Sequence, residues 1–485
     1  MQGAHPFRKR GGARGPVGFT DNATGFSGWR TVMMPGRAVP TPAVSGDRLF
    51  VGGGFGSFDF HALDTQTGRQ DWHLQTRDDG PTAAVLADGM VVFNTESCTL
   101  EIVDQDSGRV VWEKWLGDPL LAQPVVMEGT VFMVYPREGQ HWLAAFTLRE
   151  GRPLWETRLD HDVITAPVAA EGRVYLATFD GTVWCIDPET GHVDWSQQLR
   201  ATSAPWVYEG DVYVAHRDDA PQGAKVEGDP DRTRVPEAES FQRGSPSERT
   251  SRFESGSGRW KSSHSVRVAE YLSSKSGMAH KASYHQHDSS VGFGQAPASA
   301  KLHAAEGLIG ESLVSRTWRF QGSRPVVVNG ILYDTTGDRL EASDCRTGEV
   351  LWSWQDAKSM AGERRLTPPA VANGRVWAGT WDGRVMSWDA WTGAVRWAVK
   401  VGAPCHWQPV ASEGWIFAGL EDGSLIGFNT GDPLDTGWPM WGGGCGHNGL
   451  PVGDPERGDR KSRSSDDDSR PARNEKEEER RVPVA

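Results

Sequence analysis

The residue types that carry chemistry are sparse in this chain, and a few stand together. Cys405, His406, Trp407 and Gln408 are consecutive, putting an imidazole, an indole and an amide on neighbouring residues just before Pro409. Gln123 precedes Pro124 and Arg324 precedes Pro325 in two matching stretches. An imidazole, a guanidinium, an indole and two amides gathered at one opening could bind an anionic or planar ligand. His280, His285, His287 and His303 lie near one another in sequence and read as a solvated polar segment, not a metal site. The five cysteines are Cys98, Cys185, Cys345, Cys405 and Cys445. No two are adjacent and no CxxC occurs, so neither a disulfide framework nor a thiolate metal centre is expected.

What positions those residues is a repeat. The phrase Asp, three residues, Gly, three residues, Trp occurs at Asp64, Gly68 and Trp72; at Asp104, Gly108 and Trp112; and at Asp187, Gly191 and Trp195. It returns at Asp344, Gly348 and Trp352 and at Asp389, Gly393 and Trp397. Gly151 and Trp155 keep the phrase with Thr147 in place of the acid. A second signal recurs eight times: a short apolar run beginning at Thr41, Thr82, Gln123, Ala166, Ala204, Arg324, Pro368 and Gln408, with Pro near its start in all but the one from Thr82. The repeat length is about forty residues, which with abundant Trp and Gly means propeller blades of four strands. One repeat shows all the parts. In Ile164–Trp195, "ITAPVAA", "RVYLAT", "TVWCI" and "VDW" are strands, separated by turns at Glu171-Gly172 and Asp180-Gly181 and by "DPETGH". Gly makes the last turn, Asp accepts from its amides, and Trp fills the gap to a neighbouring blade. A phrase written in nearly every blade is scaffold and cannot mark one catalytic site.

The phrase resembles the tryptophan-docking motif, DxxTGxxxW, of the pyrroloquinoline-quinone (PQQ) repeat family, over roughly residues 29–216 and 316–445. The resemblance implies an all-β, eight-bladed propeller of four-stranded antiparallel blades. The family includes quinoprotein alcohol dehydrogenases and the BamB-like assembly propellers. For the dehydrogenases it further implies a disulfide between adjacent cysteines over the cofactor, calcium on channel-facing carboxylate and amide groups, and an aspartate base. None of these has a match at the entry positions here.

One step is interrupted: 120 residues separate Pro205 from Pro325. Residues 218–312 are expected to hold the end of blade five and a long insertion. "ESGSGRW", ending at Trp260, is a worn docking turn, and Val266–Tyr284 and Ala296–Leu308 are helix candidates. Residues 1–24 are expected to be disordered, 25–217 to form blades one to five with an N-terminal closing strand around Trp29, 313–450 to form blades six to eight, and 451–485 to be a disordered charged tail. "WPMWGGGCGHNG", Trp438–Gly449, resembles the terminal segments of quinoprotein-like chains and is assigned to structure.

Of the 485 residues, 51 are Lys or Arg and 64 are Asp or Glu, a net charge of −13. Such a balance disfavours a nucleic-acid partner. No apolar run follows the basic start and none has spanning length, so a cytoplasmic chain is expected, periplasmic if the true start lies elsewhere. The functional expectation is a non-catalytic, monomeric scaffold, without cofactor or metal, that binds a protein or a small ligand at the channel mouth through Gln123, Arg324, His406, Trp407 and Gln408. The alternative is a PQQ- and calcium-dependent dehydrogenase with an atypical site.

Overall fold

The computed structural model describes residues 15–54, 56–118, 122–161, 163, 166–178, 180–198, 201, 204–217, 248–266, 326–336, 339–355, 366–449 and 451–452. They form eight antiparallel sheets, one per blade, arranged as a ring. Strand A of each blade is innermost: Ala43–Ser45, Val85–Ala87, Val125–Met127, Val168–Ala170, Trp206–Tyr208, Val326–Val328, Ala370–Ala372 and Val410–Ser412. Each is three residues long and starts just after an entry segment. In seven of the eight a proline immediately precedes or nearly precedes the strand, where its missing N–H ends the ladder. Pro167 thus shortens the longer strand expected from Ile164.

The blades pack face to face through large side chains. Phe60 of blade one stacks on Phe93 of blade two at 4.3 Å between ring centres and 8° between planes. Alternation along the strands puts one set of side chains toward the preceding blade and the other toward the next. In blades one to seven a β-bulge sits where strand D leaves the docking turn, as between Ala62 and Leu63 of blade one.

Blade five is complete within the expected insertion. Strands Glu248–Glu254 and Trp260–Val266 pair as its third and fourth strands. The worn turn is real: Glu254 takes the acidic position and accepts from Ser257 Oγ at 2.5 Å. Val266 ends a strand and starts no helix. The rest of both helix candidates, the four clustered histidines and the tail from 453 lie outside the described residues.

The ring closes as expected through Trp29. Ser27–Val32 pairs with Ser424–Asn429, the third strand of blade eight. The boundary at residue 25 needs correction, because Val17–Thr20 forms a fifth strand on the outside of that blade. The reason is local. Asp21, Gly25 and Trp29 carry the docking phrase, with Asp21 Oδ2 accepting from the Thr24 amide at 2.9 Å and from its hydroxyl at 2.8 Å.

Candidate functional site

The inner edges of the strands A are free of sheet partners, so their N–H groups face the channel. The segment Trp438–Gly449 supplies the missing partners. Pro439 O accepts from Val44 in blade one at 2.7 Å, Cys445 O from Val126 in blade three at 2.9 Å, and Gly446 O from Ala169 in blade four at 2.8 Å. Asn448 bonds both backbone groups of Val207 in blade five, at 2.7 Å each. Ala411 of blade eight exchanges backbone hydrogen bonds with Trp438 at 2.9 and 3.1 Å. His447 is buried and spans Trp441 O and Pro124 O, both at 2.9 Å. Trp438, Met440 and Trp441 are buried beneath. The segment thus threads the ring and ties together blades from opposite sides.

The expected mouth residues divide. Gln408 is buried, with Nε2 donating to Pro369 O at 2.7 Å and Oε1 accepting from Gly442 N at 2.9 Å. Its amide is committed to the scaffold. Gln123 is half-buried at the entry of blade three, three blades around the ring from His406. Arg324 lies outside the described residues. Trp407 is half-buried, and its carbonyl accepts from the Cys405 thiol at 3.6 Å. That thiol is buried and pushed up to about 12 by burial, so it is no nucleophile near neutral pH. Other described entry hydroxyls also turn back. Thr41 Oγ1 donates to Gln408 O at 3.1 Å, and Thr82 and Thr367 accept from Asn94 N at 3.1 Å and Gly379 N at 2.8 Å.

His406 leads elsewhere. Its ring meets Trp381 edge to face, 4.6 Å between centres and 79° between planes, and its Nε2 lies 3.4 Å from Glu421 Oε2. Burial pulls the imidazole below its ordinary range, while Glu421 pulls the other way. Beside this dyad a cavity of about 560 Å³ opens over the turn between the second and third strands of blade seven. Trp381, Asp382, Arg384 and Lys400 line it, with Gly383, Gly402, Ala403 and Pro404. No motif marked these residues. Their only signal was the turn Asp382-Gly383, which reads as structure.

A second unforeseen feature is a carboxyl pair at the corresponding turn of blade two. Glu96 is pushed up to about 7, by burial first and then by the charges of Asp79 and Asp78. Asp79 is raised as well, by burial and Asp78.

The docking motifs all serve the scaffold. Trp72, Trp112, Trp155, Trp195 and Trp352 donate to the carbonyls of Gln105, Leu148, Pro188, Ser255 and Ala390 in the following blade, at 2.8–3.1 Å. Trp397 packs edge-on against Phe26 at 5.2 Å.

An eight-bladed ring with a tryptophan clasp at the blade boundaries defines a PQQ-repeat propeller. The chain belongs to the family described as outer membrane protein assembly factor BamB, whose profile matches residues 13–114, 96–226, 254–403 and 336–436. The dehydrogenase subunit of a quinone alcohol dehydrogenase from Gluconobacter oxydans is 37% identical over 90 residues, 17% of this chain and 12% of that protein. The chain therefore matches only about an eighth of the length of that relative. Among solved structures, BamB from Moraxella catarrhalis is similar with a TM-score of 0.53 at 13% identity, covering 86% of this chain and 97% of that one. The quinohemoprotein alcohol dehydrogenase from Comamonas testosteroni has a TM-score of 0.54 at 14% identity, covering 87% and 77%. Both structural likenesses concern the fold.

Proposed function

We propose that the chain is a non-catalytic member of this family, a rigid ring that holds a protein partner on its loops. The observation that carries this reading is the use of the channel-entry side chains. Thr41, Thr82, Thr367 and Gln408 all direct their hydrogen-bonding groups into the ring itself. A PQQ held with calcium needs several oxygen ligands converging on one point. The described entry positions offer inward-turned hydroxyls and a committed amide, and among the described residues no group of three His, Cys, Asp or Glu side chains could hold a metal. The described entry residues do not fit that cofactor.

The competing reading, a quinoprotein dehydrogenase with an altered site, draws on the 37% identity over 90 residues to the Gluconobacter oxydans subunit. One experiment separates them. The purified chain is titrated calorimetrically with PQQ and calcium, and dye-linked oxidation of ethanol and glucose is followed in parallel. No turnover is expected, and no binding of PQQ that depends on calcium. Turnover of either substrate overturns the scaffold reading.

A further inference from the structure

The cavity over blade seven lies at the turn between its second and third strands, beside the His406–Glu421 pair. We propose that it is a binding site for a small planar carboxylate, an acid on one to three fused rings.

The argument begins with Trp381. Its ring is one wall of the cavity, and His406 braces it from the edge. His406 is itself anchored by Glu421. An indole fixed in this way presents a flat apolar surface that loses little freedom when a second ring stacks on it.

Charge decides the other half of the ligand. Asp382 is engaged three times: Arg384 Nη2 donates to Oδ2 at 2.6 Å, Arg384 Nε to Oδ1 at 3.2 Å, and Thr380 Oγ1 to Oδ1 at 2.5 Å. The Asp382–Arg384 pair is therefore internally neutral and stiff. Arg30, behind Gly402, is bonded to Asp422, to Ser424 Oγ at 3.0 Å and to Val401 O at 3.2 Å. Lys400 is different. It lines the cavity, is exposed, and makes no ion pair among the described residues. One uncommitted ammonium beside a fixed aromatic wall selects a ligand with a ring and a negative charge. A cationic ring would meet Lys400 and find Asp382, the carboxylate of the described lining, already paired with Arg384.

Size agrees. About 560 Å³ falls within the range of small-molecule pockets, roughly 300–1,000 Å³.

The test uses the full chain and isothermal titration with 2-naphthoate, with 2-naphthylmethanol and 2-naphthylmethylammonium as neutral and cationic controls. Saturable binding of the acid is expected, weakening as salt is raised. Lys400→Ala should weaken it by about tenfold or more, the scale of one charged hydrogen bond. Lys400 is exposed, so this variant should fold normally, which a thermal melt checks. Trp381→Leu should abolish the preference for the ring, and Lys400→Arg should retain binding. No binding of the acid, equal affinity for the ammonium control, or unchanged affinity in Lys400→Ala would each overturn the proposal. None of these outcomes depends on whether the ring also holds a protein partner.

Discussion

Trp29 Nε1 donates to Thr65 O across the seam of the ring, at 2.8 Å. Trp29 lies on a strand that pairs with the C-terminal repeat, and Thr65 lies in the first complete blade. The closing contact copies the rule at the five other clasps: the indole donates to the carbonyl of the residue after the turn's first position. Trp29→Phe keeps the ring packing and removes that donor, leaving a buried carbonyl without it. A loss of about 1–2 kcal/mol is expected. Trp72→Phe should lose a similar amount. Urea unfolding of both variants checks this, and a much smaller loss for Trp29 would show that the seam is held by something else.

The docking glycines are needed twice over. Gly108 has φ of +68°, and a Cβ there would lie 2.6 Å from the Trp72 ring of the preceding blade. Gly89 has φ of +76° with nothing within 4 Å of such a Cβ. Gly89→Ala therefore meets backbone strain alone, about 1 kcal/mol or a little more. Gly108→Ala adds overpacking against a braced indole, about 1–3 kcal/mol further. Thermal melts of the two variants should differ in that order, and equal losses would remove the steric half of the argument.

The fold was legible because the repeat writes turn, strand and clasp in residue types with distinct physics. The entry segments, the two-residue turns and the docking phrase each fell where the strands begin and end. Even the worn turn of blade five held, since Gly258 still leaves room for Trp195, whose ring a Cβ there would approach to 2.7 Å. Asp21, Gly25 and Trp29 also spell the phrase, and the outer strand Val17–Thr20 lies just before it. The second role of the glycines was not legible, because which Trp covers which Gly depends on packing between blades. The site was hardest to read. Gln408 reads in sequence as a ligand contact, yet its amide joins two backbone segments, and a polar residue beside a proline looks the same either way. Trp381 and Lys400 are 19 residues apart, and only the return of strand D brings them to one cavity.

Acidity should act on the clasps. Asp389 is held down to about 2, chiefly by Arg396 and the Thr392 hydroxyl and amide. Asp104, Asp187 and Asp344 are lowered too, by hydrogen bonds from their own turns. A carboxyl depressed in the fold contributes stability above its unfolded value, and that contribution fades as pH falls through the folded one. Melting temperature should therefore drop between about pH 4 and pH 2, and Asp389→Asn should flatten part of the slope. An unchanged slope would mean these turns do not carry the acid response.

Glu101 should act in the opposite direction. It is buried on the third strand of blade two, directly across from Glu113, and its Oε1 has no hydrogen-bond partner among the described residues. Burial, then the charges of Glu113 and Asp78, pushes it up to about 7. A carboxyl raised in the fold costs stability as pH rises from the unfolded value to the folded one, here from about 4.5 to about 7. The full cost is about 3 kcal/mol. Glu101→Gln removes the charge and keeps the shape. It should be near neutral at pH 4 and stabilising by up to that amount at pH 8, read from urea midpoints at the two values. A stabilisation equal at both would place the effect in packing rather than charge.

The threaded segment offers the strongest test of how the ring is held. Trp438, Met440 and Trp441 are buried, and each such side chain contributes about 1.5–3 kcal/mol on burial. The carbonyls of Trp438, Pro439, Cys445 and Gly446 and the side chain of Asn448 also satisfy N–H groups of five strands A. Without them those inner edges would turn to water across the channel, at roughly 1 kcal/mol each. Together these terms rival the whole stability of an ordinary domain, about 5–15 kcal/mol. A chain ended after Gly437 should therefore lose its cooperative melt or show it at a far lower temperature. A chain ended after Val452 should melt as the full chain does. Gln408→Ala cuts only the bonds to Pro369 O and Gly442 N, so it should fall between them, losing about 2–3 kcal/mol. If the chain ended after Gly437 melted within a few degrees of the full one, the segment would be a passenger in the channel, and blade-to-blade packing alone would hold the ring.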